Sequence, residues 1–367
     1  MSRVAVLGAG NGGLAAVADL ATRGHVVRLW NRGEEALEAI ARSGAVRYDG
    51  VLGSGVAAVA LATTDLGEAV KGADVILVCL PAPAHRDVAE RLAVHLRPEQ
   101  TLILNPGGLL GSIAVARTLR AGGYNAPLRI GETATLTYIC RKTAPDAVGI
   151  TSVAKDLPFA ALPGDGTEAL VEDLAAVLPN LRRADHVLAA GIASINTVLH
   201  PPGMILGAAW IEHTGGDFAY YADTAVPSVA RLLARLDDER LAVARAWHIA
   251  AEPFLEVFAR IGSTSAEAAA AGDFLQALQD STPNRAIRAP GSLQTRYLDE
   301  DIPFGVVPLA DLARVTQVDT PVLDAVITIA SAITARDYRA AGRTLASVGL
   351  GGLSAAQVRD RLEHDPA

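Results

Sequence analysis

A segment near the start of the chain has the composition and spacing of a phosphate-binding turn. Residues 8–13 read Gly-Ala-Gly-Asn-Gly-Gly, and they lie between the apolar run 4–7 and a stretch with helical character. Gly8 permits a tight turn, Gly10 lets a phosphate approach the backbone, and Gly13 allows a helix to pack closely on a strand. The N-terminus of that helix would offer N–H groups to an anion. The pattern predicts a pyrophosphate site for a dinucleotide, and a purely structural use of these glycines is the weaker interpretation.

The end of the second predicted strand bears on which dinucleotide binds. Val26 to Trp30 is followed by Asn31 and Arg32, about twenty residues past the last glycine of the turn. Enzymes that bind NAD usually have Asp or Glu there to hold the ribose 2′-hydroxyl, whereas an arginine accommodates a 2′-phosphate. Arg32 therefore favours NADP(H) and leaves NAD(H) permitted. The alternative is that Arg32 is a solvated loop residue.

A second set of residues suited to chemistry lies in the C-terminal half. His200 is followed by Pro201-Pro202, and Asn196 lies four residues earlier, on the same face of a helix. Imidazole titrates near neutral pH and can therefore take and return protons. The two prolines predict that the helix ends at His200, where a histidine often only caps the C-terminus.

The stretch from Asp280 to Gly305 is predicted to be a long loop, because it is rich in Pro, Arg and Gly and has weak periodicity. A loop of about 25 residues inside a helical domain is usually functional. The residues alone do not show which of its cations or carboxylates acts. The candidates are Arg285, Arg288, Arg296, Asp299, Glu300 and Asp301.

The elements that must position these residues follow an α/β pattern in the N-terminal half. Strand-like runs are predicted at Val4–Leu7, Val26–Trp30, Ala73–Leu80, Thr101–Leu104, Ile130–Thr133, Val148–Val153 and Phe159–Leu162. The last three are expected to extend one sheet as far as a linker near Arg182–Ala184. Pro81 follows a strand at the sheet edge where ligands bind, and nearby His85 suits a helix cap as well as a substrate contact. The predicted cofactor-binding residues are Gly8, Gly10, Asn11, Gly12, Gly13, Asn31, Arg32 and Pro81.

From Asp185 onward helical periodicity dominates, with helices predicted at Ser228–Leu236, Arg240–Ile261 and Thr320–Thr334. The predicted fold is therefore α/β with two domains. Residues 1–183 form a Rossmann dinucleotide-binding domain. Residues 184–367 form an all-α substrate-binding and catalytic domain, of the kind found at the C-terminus of 6-phosphogluconate dehydrogenase.

Composition excludes several classes of function. A formal charge of −8 argues against a nucleic-acid partner, which needs a basic face. Two cysteines, Cys79 and Cys140, predict reduced thiols in a cytoplasmic protein, and the N-terminus lacks the pattern of a signal peptide. No apolar run is long enough for a membrane span, and no metal site is predicted because the histidines are scattered.

Several segments of the sequence resemble the octopine/nopaline (opine) dehydrogenase family. The specific ones are Asn196-Thr197-Val198-Leu199-His200-Pro201 and the ten residues 296–305, which read Arg-Tyr-Leu-Asp-Glu-Asp-Ile-Pro-Phe-Gly. Supporting segments are Asn105-Pro106-Gly107-Gly108, Glu132-Thr133, Cys140-Arg141 and Phe218-Ala219-Tyr220-Tyr221. The resemblance covers essentially the whole chain. It implies reductive condensation of the amine of an amino acid with an α-keto acid, often pyruvate, using NADH or NADPH.

The resemblance also implies roles for individual residues. His200 would be the catalytic acid/base, and Asp301 would orient it. Arg296 would bind the keto-acid carboxylate, and Asn196 would contact the nicotinamide carboxamide or the substrate. The expected partners are small molecules, and a homodimer is compatible with this reading.

Two rival functions are weighed against this one. A dehydrogenase of the glycerol-3-phosphate or 3-hydroxyacid type shares the architecture but usually carries a catalytic lysine. Here only Lys71, Lys142 and Lys155 are available, all before the helical domain. A non-catalytic nucleotide sensor would have lost the catalytic positions, yet His200, Arg296 and Asp301 are all present.

Overall fold

The computed structural model describes residues 1–364, which fold into two compact units. The first unit contains Met1–Gly107, Gly111–Ala190 and the described residues from Arg359 onward. The second contains Gly108–Leu110 and Gly191–Val358. This division differs from the expected one after residue 183. The structure makes it later, between Ala190 and Gly191, and returns the end of the chain to the first unit.

Strands are confined to the first unit among the residues described. They are β1 (Arg3–Leu7), β2 (Val26–Trp30), β3 (Ala45–Gly50), β4 (Gly55–Ala58), β5 (Leu61–Thr63), β6 (Val75–Val78), β7 (Thr101–Leu104), β8 (Arg129–Thr133), β9 (Tyr138–Ala144), β10 (Ala147–Val153), β11 (Leu157–Leu162) and β12 (Leu181–Arg183). The main sheet has the order β12-β11-β8-β7-β6-β1-β2-β5. Its strands from β8 to β5 run parallel, and β11 is antiparallel to β8.

The centre of the main sheet is buried on both faces. Every residue of β6 and β7 is buried, and so are Val4 to Leu7 of β1. Strands covered on both sides are apolar throughout, which is why these runs were recognisable in the sequence. The predicted linker near 182–184 is wrong, because Leu181–Arg183 forms the edge strand β12 beside β11.

A second sheet with the order β4-β3-β10-β9 lies apart from the main one. The expectation that Val148–Val153 extends the main sheet is therefore wrong. Val148 and Ile150 share a hydrophobic core with Leu14 and Val17, which belong to the helix after β1. Periodicity identifies a strand, but it does not say which sheet the strand joins.

Helices surround the sheets of the first unit and make up most of the second. Those that begin in the first unit are α1 (Asn11–Thr22), α2 (Glu38–Ser43), α3 (Leu66–Val70), α4 (His85–Leu92), α5 (Gly111–Ala121), α6 (Thr167–Leu174) and α7 (Val187–Ile192). Those that begin in the second unit are α8 (Asn196–Leu206), α9 (Ala208–Thr214), α10 (Tyr220–Asp223), α11 (Pro227–Ala246), α12 (Phe254–Arg260), α13 (Ala266–Ala270), α14 (Phe274–Gln279), α15 (Arg296–Asp299), α16 (Val307–Val315), α17 (Pro321–Thr334), α18 (Tyr338–Ala341) and α19 (Ala355–His364), the last of which ends in the first unit. No helix within residues 1–364 has both the length and the apolar character needed to cross a membrane.

The helix boundaries correct two predictions. The predicted helices 228–236 and 240–261 are instead one long helix, α11, and a separate α12 that starts after Pro253. Pro253 has extended backbone angles and cannot continue a helix from its N-terminal side. The predicted loop 280–305 is irregular only in part, since α15 is followed by a π-helical turn at Ile302–Val306.

Candidate active site

His200 lies in the middle of α8, which continues through Pro201 and Pro202 to Leu206. The prediction that the helix ends at His200 is therefore wrong, and so is the capping interpretation that depended on it. The Tyr220 hydroxyl donates to the His200 carbonyl oxygen at 2.7 Å. Tyr220 is fully buried, so this bond ties α8 to α10 at His200.

His200 and Asp301 form a hydrogen-bonded pair. His200 Nδ1 lies 2.6 Å from Asp301 Oδ2, and the two side chains are only 11% and 15% exposed. Asp301 immediately precedes the π-helical turn that packs against α8. Burial raises the pKa of Asp301, and the adjacent His200 and Arg296 oppose that rise. The carboxylate fixes the imidazole tautomer with the proton on Nδ1, which leaves Nε2 to exchange a proton.

Two tyrosines complete the surroundings of the imidazole. His200 Nε2 lies 2.9 Å from the Tyr221 hydroxyl, and that hydroxyl is 3.1 Å from the Tyr297 hydroxyl. The Tyr297 ring stacks on His200 with the centroids 4.1 Å apart and an angle of 19° between the planes. Neither tyrosine was predicted from the sequence to have a role. The available signal was their position, because Tyr297 lies in the specific segment 296–305 and Tyr221 lies in the supporting segment Phe218-Ala219-Tyr220-Tyr221.

The three carboxylates of the acidic run have different partners. Asp299 bonds the Tyr338 hydroxyl at 2.7 Å and pairs with Arg336. Glu300 accepts a hydrogen bond from Arg296, and Asp301 bonds His200. Of the three, the structure brings Asp301 to the imidazole, as the family pattern implies.

Arg296 differs from the other two candidate arginines in its surroundings. Its Nε donates to Glu300 Oε2 at 2.7 Å, the side chain is 58% exposed, and within residues 1–364 its two Nη groups have no hydrogen-bond partner. Arg288 pairs with Asp217, and Arg285 approaches a backbone carbonyl of Gln279. Arg296 therefore presents a guanidinium edge on which a carboxylate could bind through two oxygens.

Asn196 is the first residue of α8 and is partly buried, one turn before His200. Its position on the helix face is the one expected from the spacing of four. The substrate or cofactor contact predicted for it stays a prediction.

The glycine turn fits a dinucleotide phosphate. Gly8 has φ +115°, and a Cβ on Gly13 would lie 1.7 Å from the Gly8 carbonyl oxygen, so both positions require glycine. A Cβ on Gly10 would meet no protein atom within 4 Å. Gly10 is the N-cap of α1 and has no side chain to accept from the first N–H groups of that helix. An anion suits this place, because backbone donors and the positive end of the helix dipole converge there.

Two asparagines predicted to bind the cofactor hold the glycine turn in the described structure. Asn31 Oδ1 accepts from the Ala9 N–H at 3.2 Å, and its Nδ2 donates to the Gly33 carbonyl oxygen. Asn11 Oδ1 accepts from the Lys142 N–H at 2.9 Å. Lys142 also donates from Nζ to the Ala9 carbonyl oxygen at 3.2 Å. It was not among the cofactor residues predicted from the sequence.

The other predicted cofactor residues lie around the same unit. Gly12 is buried, and a Cβ there would collide with the Leu136 side chain. Arg32 is exposed at the end of β2 and forms no ion pair or hydrogen bond with any residue described. Pro81 follows β6 and begins a short 3₁₀ turn. Both lie beyond the carboxyl ends of parallel strands, the edge at which ligands bind in such sheets.

Two polar residues that the sequence left undecided are buried in the first unit. His85 Nε2 lies 3.1 Å from the Leu80 carbonyl oxygen, so its ring takes part in the turn after β6. Glu132 accepts from the Ser112 N–H at 2.5 Å, at the start of α5. Across the described part of the chain, no group of three or more His, Cys, Asp or Glu side chains is placed to hold a metal ion.

Comparison with known proteins identifies both parts of the chain. Residues 183–334 match the model of the NAD/NADP octopine/nopaline dehydrogenase α-helical domain. Residues 3–116 match the model of the N-terminus of NAD-dependent glycerol-3-phosphate dehydrogenase. These matches confirm the predicted order of a dinucleotide-binding domain followed by a helical domain.

Individual proteins match over the whole length. The opine dehydrogenase of Arthrobacter sp. (strain 1C) is 36% identical over 360 residues, which cover 98% of each chain. A solved octopine dehydrogenase with NADH and L-arginine shares the fold with a TM-score of 0.77 at 20% identity, covering 98% of each chain. A yersinopine dehydrogenase with NADP⁺ bound has a TM-score of 0.73 at 16% identity, covering 100% of this chain and 98% of the other.

The similarity to the Arthrobacter enzyme is high enough, and long enough, to decide the family. The match of the helical part agrees with it, and the resemblance inferred from the sequence is confirmed. The chain belongs to the octopine/nopaline (opine) dehydrogenase family of NAD(P)-dependent oxidoreductases.

Proposed function

We propose that this protein condenses the amine of an amino acid with an α-keto acid such as pyruvate and reduces the resulting imine. The observation that carries the proposal is the buried His200–Asp301 pair, joined by hydrogen bonding at 2.6 Å and lying close to Arg296. The octopine dehydrogenases similar in fold are described with NADH and L-arginine or pyruvate, which agrees with these two substrate classes.

His200 manages protons in this scheme. An amino acid arrives as an ammonium ion, and it must lose a proton before its nitrogen can attack the keto carbon. Nε2 accepts that proton while Asp301 stabilises the imidazolium through Nδ1. The same nitrogen then donates a proton to the oxygen that leaves as water, and the imine carbon becomes ready to accept a hydride.

Arg296 holds the keto acid by its carboxylate. Glu300 engages Nε and so fixes the plane of the guanidinium, which turns both Nη groups toward an incoming ligand. Two parallel N–H···O bonds would orient the carboxylate, and with it the adjacent keto carbon. Replacement of Arg296 by lysine would keep the charge but lose the planar fork.

The first unit binds the dinucleotide through the glycine turn, and the reduced nicotinamide supplies the hydride when the cofactor is bound. Gly8, Gly10 and Gly13 shape the backbone there, and Asn11 and Asn31 brace the turn. We propose that Arg32 pairs with a 2′-phosphate, which would favour NADPH over NADH.

Replacement of Arg32 tests the cofactor preference. Arg32→Ser should raise the KM for NADPH by about tenfold, the effect of losing one charged contact, and leave that for NADH unchanged. Arg42→Ser is the matched control, because Arg42 is also an exposed arginine of the first unit and pairs with Glu38. Equal effects of Arg32→Ser on both cofactors would contradict the preference for NADPH.

The reaction itself is tested by a substrate screen. NADPH and NADH oxidation are measured with pyruvate and other keto acids, in the presence and absence of a panel of amino acids and simple amines. Turnover must depend on the amine, and the product must be a secondary amine by mass spectrometry. Reduction of a keto acid, or of dihydroxyacetone phosphate, without any amine would overturn the proposal and favour the rival alcohol dehydrogenase.

A variant links the reaction to the site. His200→Ala should lower turnover by about 10²- to 10⁴-fold, the range that a general acid/base contributes. Dinucleotide binding, followed by the fluorescence of the reduced cofactor, should persist. Wild-type rates in His200→Ala would remove this residue from the mechanism.

A further inference from the structure

A chain of hydrogen-bonding groups extends from Asp301 through His200 to two tyrosine hydroxyls. The successive distances are 2.6 Å from Asp301 Oδ2 to Nδ1, 2.9 Å from Nε2 to the Tyr221 hydroxyl, and 3.1 Å from there to the Tyr297 hydroxyl. Every distance is within hydrogen-bonding range. His200 and Tyr221 are buried, and Asp301 and Tyr297 at the two ends of the chain of groups are partly exposed. The two hydroxyls therefore lead from the buried imidazole to a partly exposed side chain.

The proposed reaction takes up one proton from solvent in each turnover. An ammonium ion and a keto group give a protonated imine and a water molecule with no net gain of protons, because the nitrogen gives up both protons of the water. Hydride transfer then gives a neutral secondary amine, which takes one further proton to become the secondary ammonium ion. His200 has by then returned the proton that it took from the substrate, so this proton must come from solvent. A route between Nε2 and bulk water would supply it.

We infer that Tyr221 and Tyr297 form a proton relay that connects His200 Nε2 with solvent, through which the imidazole regains a proton for the secondary amine. This inference rests on the proposed condensation. When the imidazole is neutral, the Tyr297 hydroxyl donates to Tyr221, and Tyr221 donates to Nε2. A proton taken from solvent by Tyr297 moves inward as each hydroxyl passes its own proton to the next group. The imidazolium is formed, and every hydroxyl ends with one proton.

The geometry separates this role from simple packing. Tyr297 holds the imidazole by stacking on its face, and Tyr220 holds the main chain of α8, so the ring needs no further support from Tyr221. The Tyr221 hydroxyl instead meets Nε2, the one nitrogen that Asp301 leaves available. Tyr221 thus acts through His200, and we class it as a positioning and proton-transfer residue.

Replacement of Tyr221 by phenylalanine is the central experiment. Tyr221→Phe removes one hydroxyl and should lower kcat of the wild-type reaction by about 10- to 100-fold, with KM for both substrates nearly unchanged. Tyr297→Phe keeps the stacked ring and should lower kcat by less, because a water molecule can replace a terminal hydroxyl. The matched control is Tyr338→Phe, which loses a hydrogen bond to Asp299 at 2.7 Å and should leave kcat unchanged.

Chemical rescue distinguishes proton transfer from structure. In Tyr221→Phe, increasing concentrations of imidazole buffer should restore turnover at constant pH and ionic strength, and they should not affect Tyr338→Phe. A pH profile accompanies the measurement, and the ionisable groups that face the relay are Asp301, Glu300, Arg296 and Tyr220. Wild-type kcat in Tyr221→Phe, or a lowered kcat that buffer does not restore, would overturn the relay.

A second measurement does not depend on a variant folding. The wild-type protein is followed in a single turnover in mixtures of H₂O and D₂O. A relay moves several protons together, so the rate should fall along a curve as the deuterium fraction rises, and a straight line would contradict it. If the wild-type protein shows no amine-dependent oxidation of NADPH or NADH, the proposed function is refuted. If the wild-type protein is active and Tyr221→Phe has the same kcat, only the relay is refuted.

Discussion

At the residue scale, the ionised carboxylate of Asp301 lowers the stability of the folded protein. Its carboxyl is buried beside Glu300, and burial raises its pKa while His200 and Arg296 oppose the rise. A raised pKa means that folding favours the protonated acid. The free energy that Asp301 contributes to folding is therefore full below the unfolded pKa, near 4, and is lost as the pH rises through the folded value.

Replacement of Asp301 by asparagine should separate stability from activity. Asp301→Asn avoids burying a charge, so its unfolding temperature should exceed that of the wild-type protein at about pH 7.5, with the difference shrinking toward about pH 4. Activity should fall by about 10²-fold or more, because the imidazolium loses its negatively charged partner and the amide can present its NH₂ group to Nδ1, which selects the other tautomer. Thermal unfolding across this pH range and steady-state kinetics measure the two effects.

Asp299 provides the control for the same experiment. It lies two residues earlier but bonds Tyr338 and Arg336 instead of His200. Asp299→Asn should keep turnover near the wild-type value. A loss of activity as large as that of Asp301→Asn would show that the acidic run acts as a whole.

The glycine turn shows at the element scale how one loop serves both folding and binding. Gly13 lies where α1 crosses the end of β1, and the backbone of Gly8 occupies the space that any side chain would need. Gly10 faces open space instead. The two positions therefore predict opposite consequences of the same substitution.

Alanine at each glycine should separate the two roles. Gly13→Ala should cost at least about 3 kcal/mol of unfolding free energy, because its Cβ overlaps a carbonyl oxygen. Gly10→Ala should cost less than about 1 kcal/mol, the loss for a changed N-cap, and weaken dinucleotide binding by about tenfold. Denaturant unfolding and cofactor titration measure these quantities. Unchanged cofactor affinity in Gly10→Ala would place the pyrophosphate elsewhere.

The contact between α8 and the π-helical turn sets the distance between His200 and Asp301. A π turn widens a helix by one residue, and such turns are frequent at functional sites. Gly305 belongs to this turn, and a Cβ there would lie 2.6 Å from Thr197 Oγ1 in α8. Glycine thus permits the close approach of the two elements that carry the pair.

A double variant tests this contact. Gly305→Ala should push the turn away from α8 and lower kcat by about tenfold, ~1.4 kcal/mol, through a longer His200–Asp301 distance. Thr197→Ala in addition removes the obstructing hydroxyl and should restore most of the activity. Steady-state kinetics of the two single variants and the double variant give the coupling. Failure of the second substitution to rescue the first would refute the steric explanation.

At the scale of the whole molecule, the end of the chain belongs to the unit that contains its start. Leu362 of α19 is 2% exposed and is assigned to the first unit, although residues 191–358 belong to the second. A contact across such a distance in sequence closes a very long loop. We therefore expect the stability of the first unit to depend on residues that follow His200 and Asp301 in the sequence.

Truncation of Leu362 should reveal this dependence. Leu362→Ala should destabilise the protein by about 2 to 5 kcal/mol. The loss of hydrogen-exchange protection should appear mainly in peptides from residues 1–190 rather than 191–358. Leu206→Ala is the control for a leucine that is 51% exposed, and it should change stability by less than about 0.5 kcal/mol. Protection lost mainly in 191–358 would contradict the assignment.

The sequence by itself determined the fold class and the candidates for the site. The central strands were recognisable because strands buried on both faces are apolar throughout, and the glycine turn because its conformation excludes other residues. His200, Asp301 and Arg296 were identified by a family resemblance, since their spacing alone left caps, other carboxylates and other arginines as alternatives. Strand patterns and turn signals are local, because each depends on residues that lie within a few positions of one another.

Only the tertiary structure decided which distant groups meet. Asp301 lies about a hundred residues after His200, so no periodicity could select it over Asp299 or Glu300. The helix continues through Pro201 and Pro202 to Leu206, and the Tyr220 hydroxyl bonds it from another element at His200. Long-range packing also decides which sheet β10 joins and that β12 is an edge strand. It likewise brings the hydroxyls of Tyr221 and Tyr297 together beside His200. Local patterns fix elements, whereas contacts between elements arise from burial and hydrogen bonding across the folded chain.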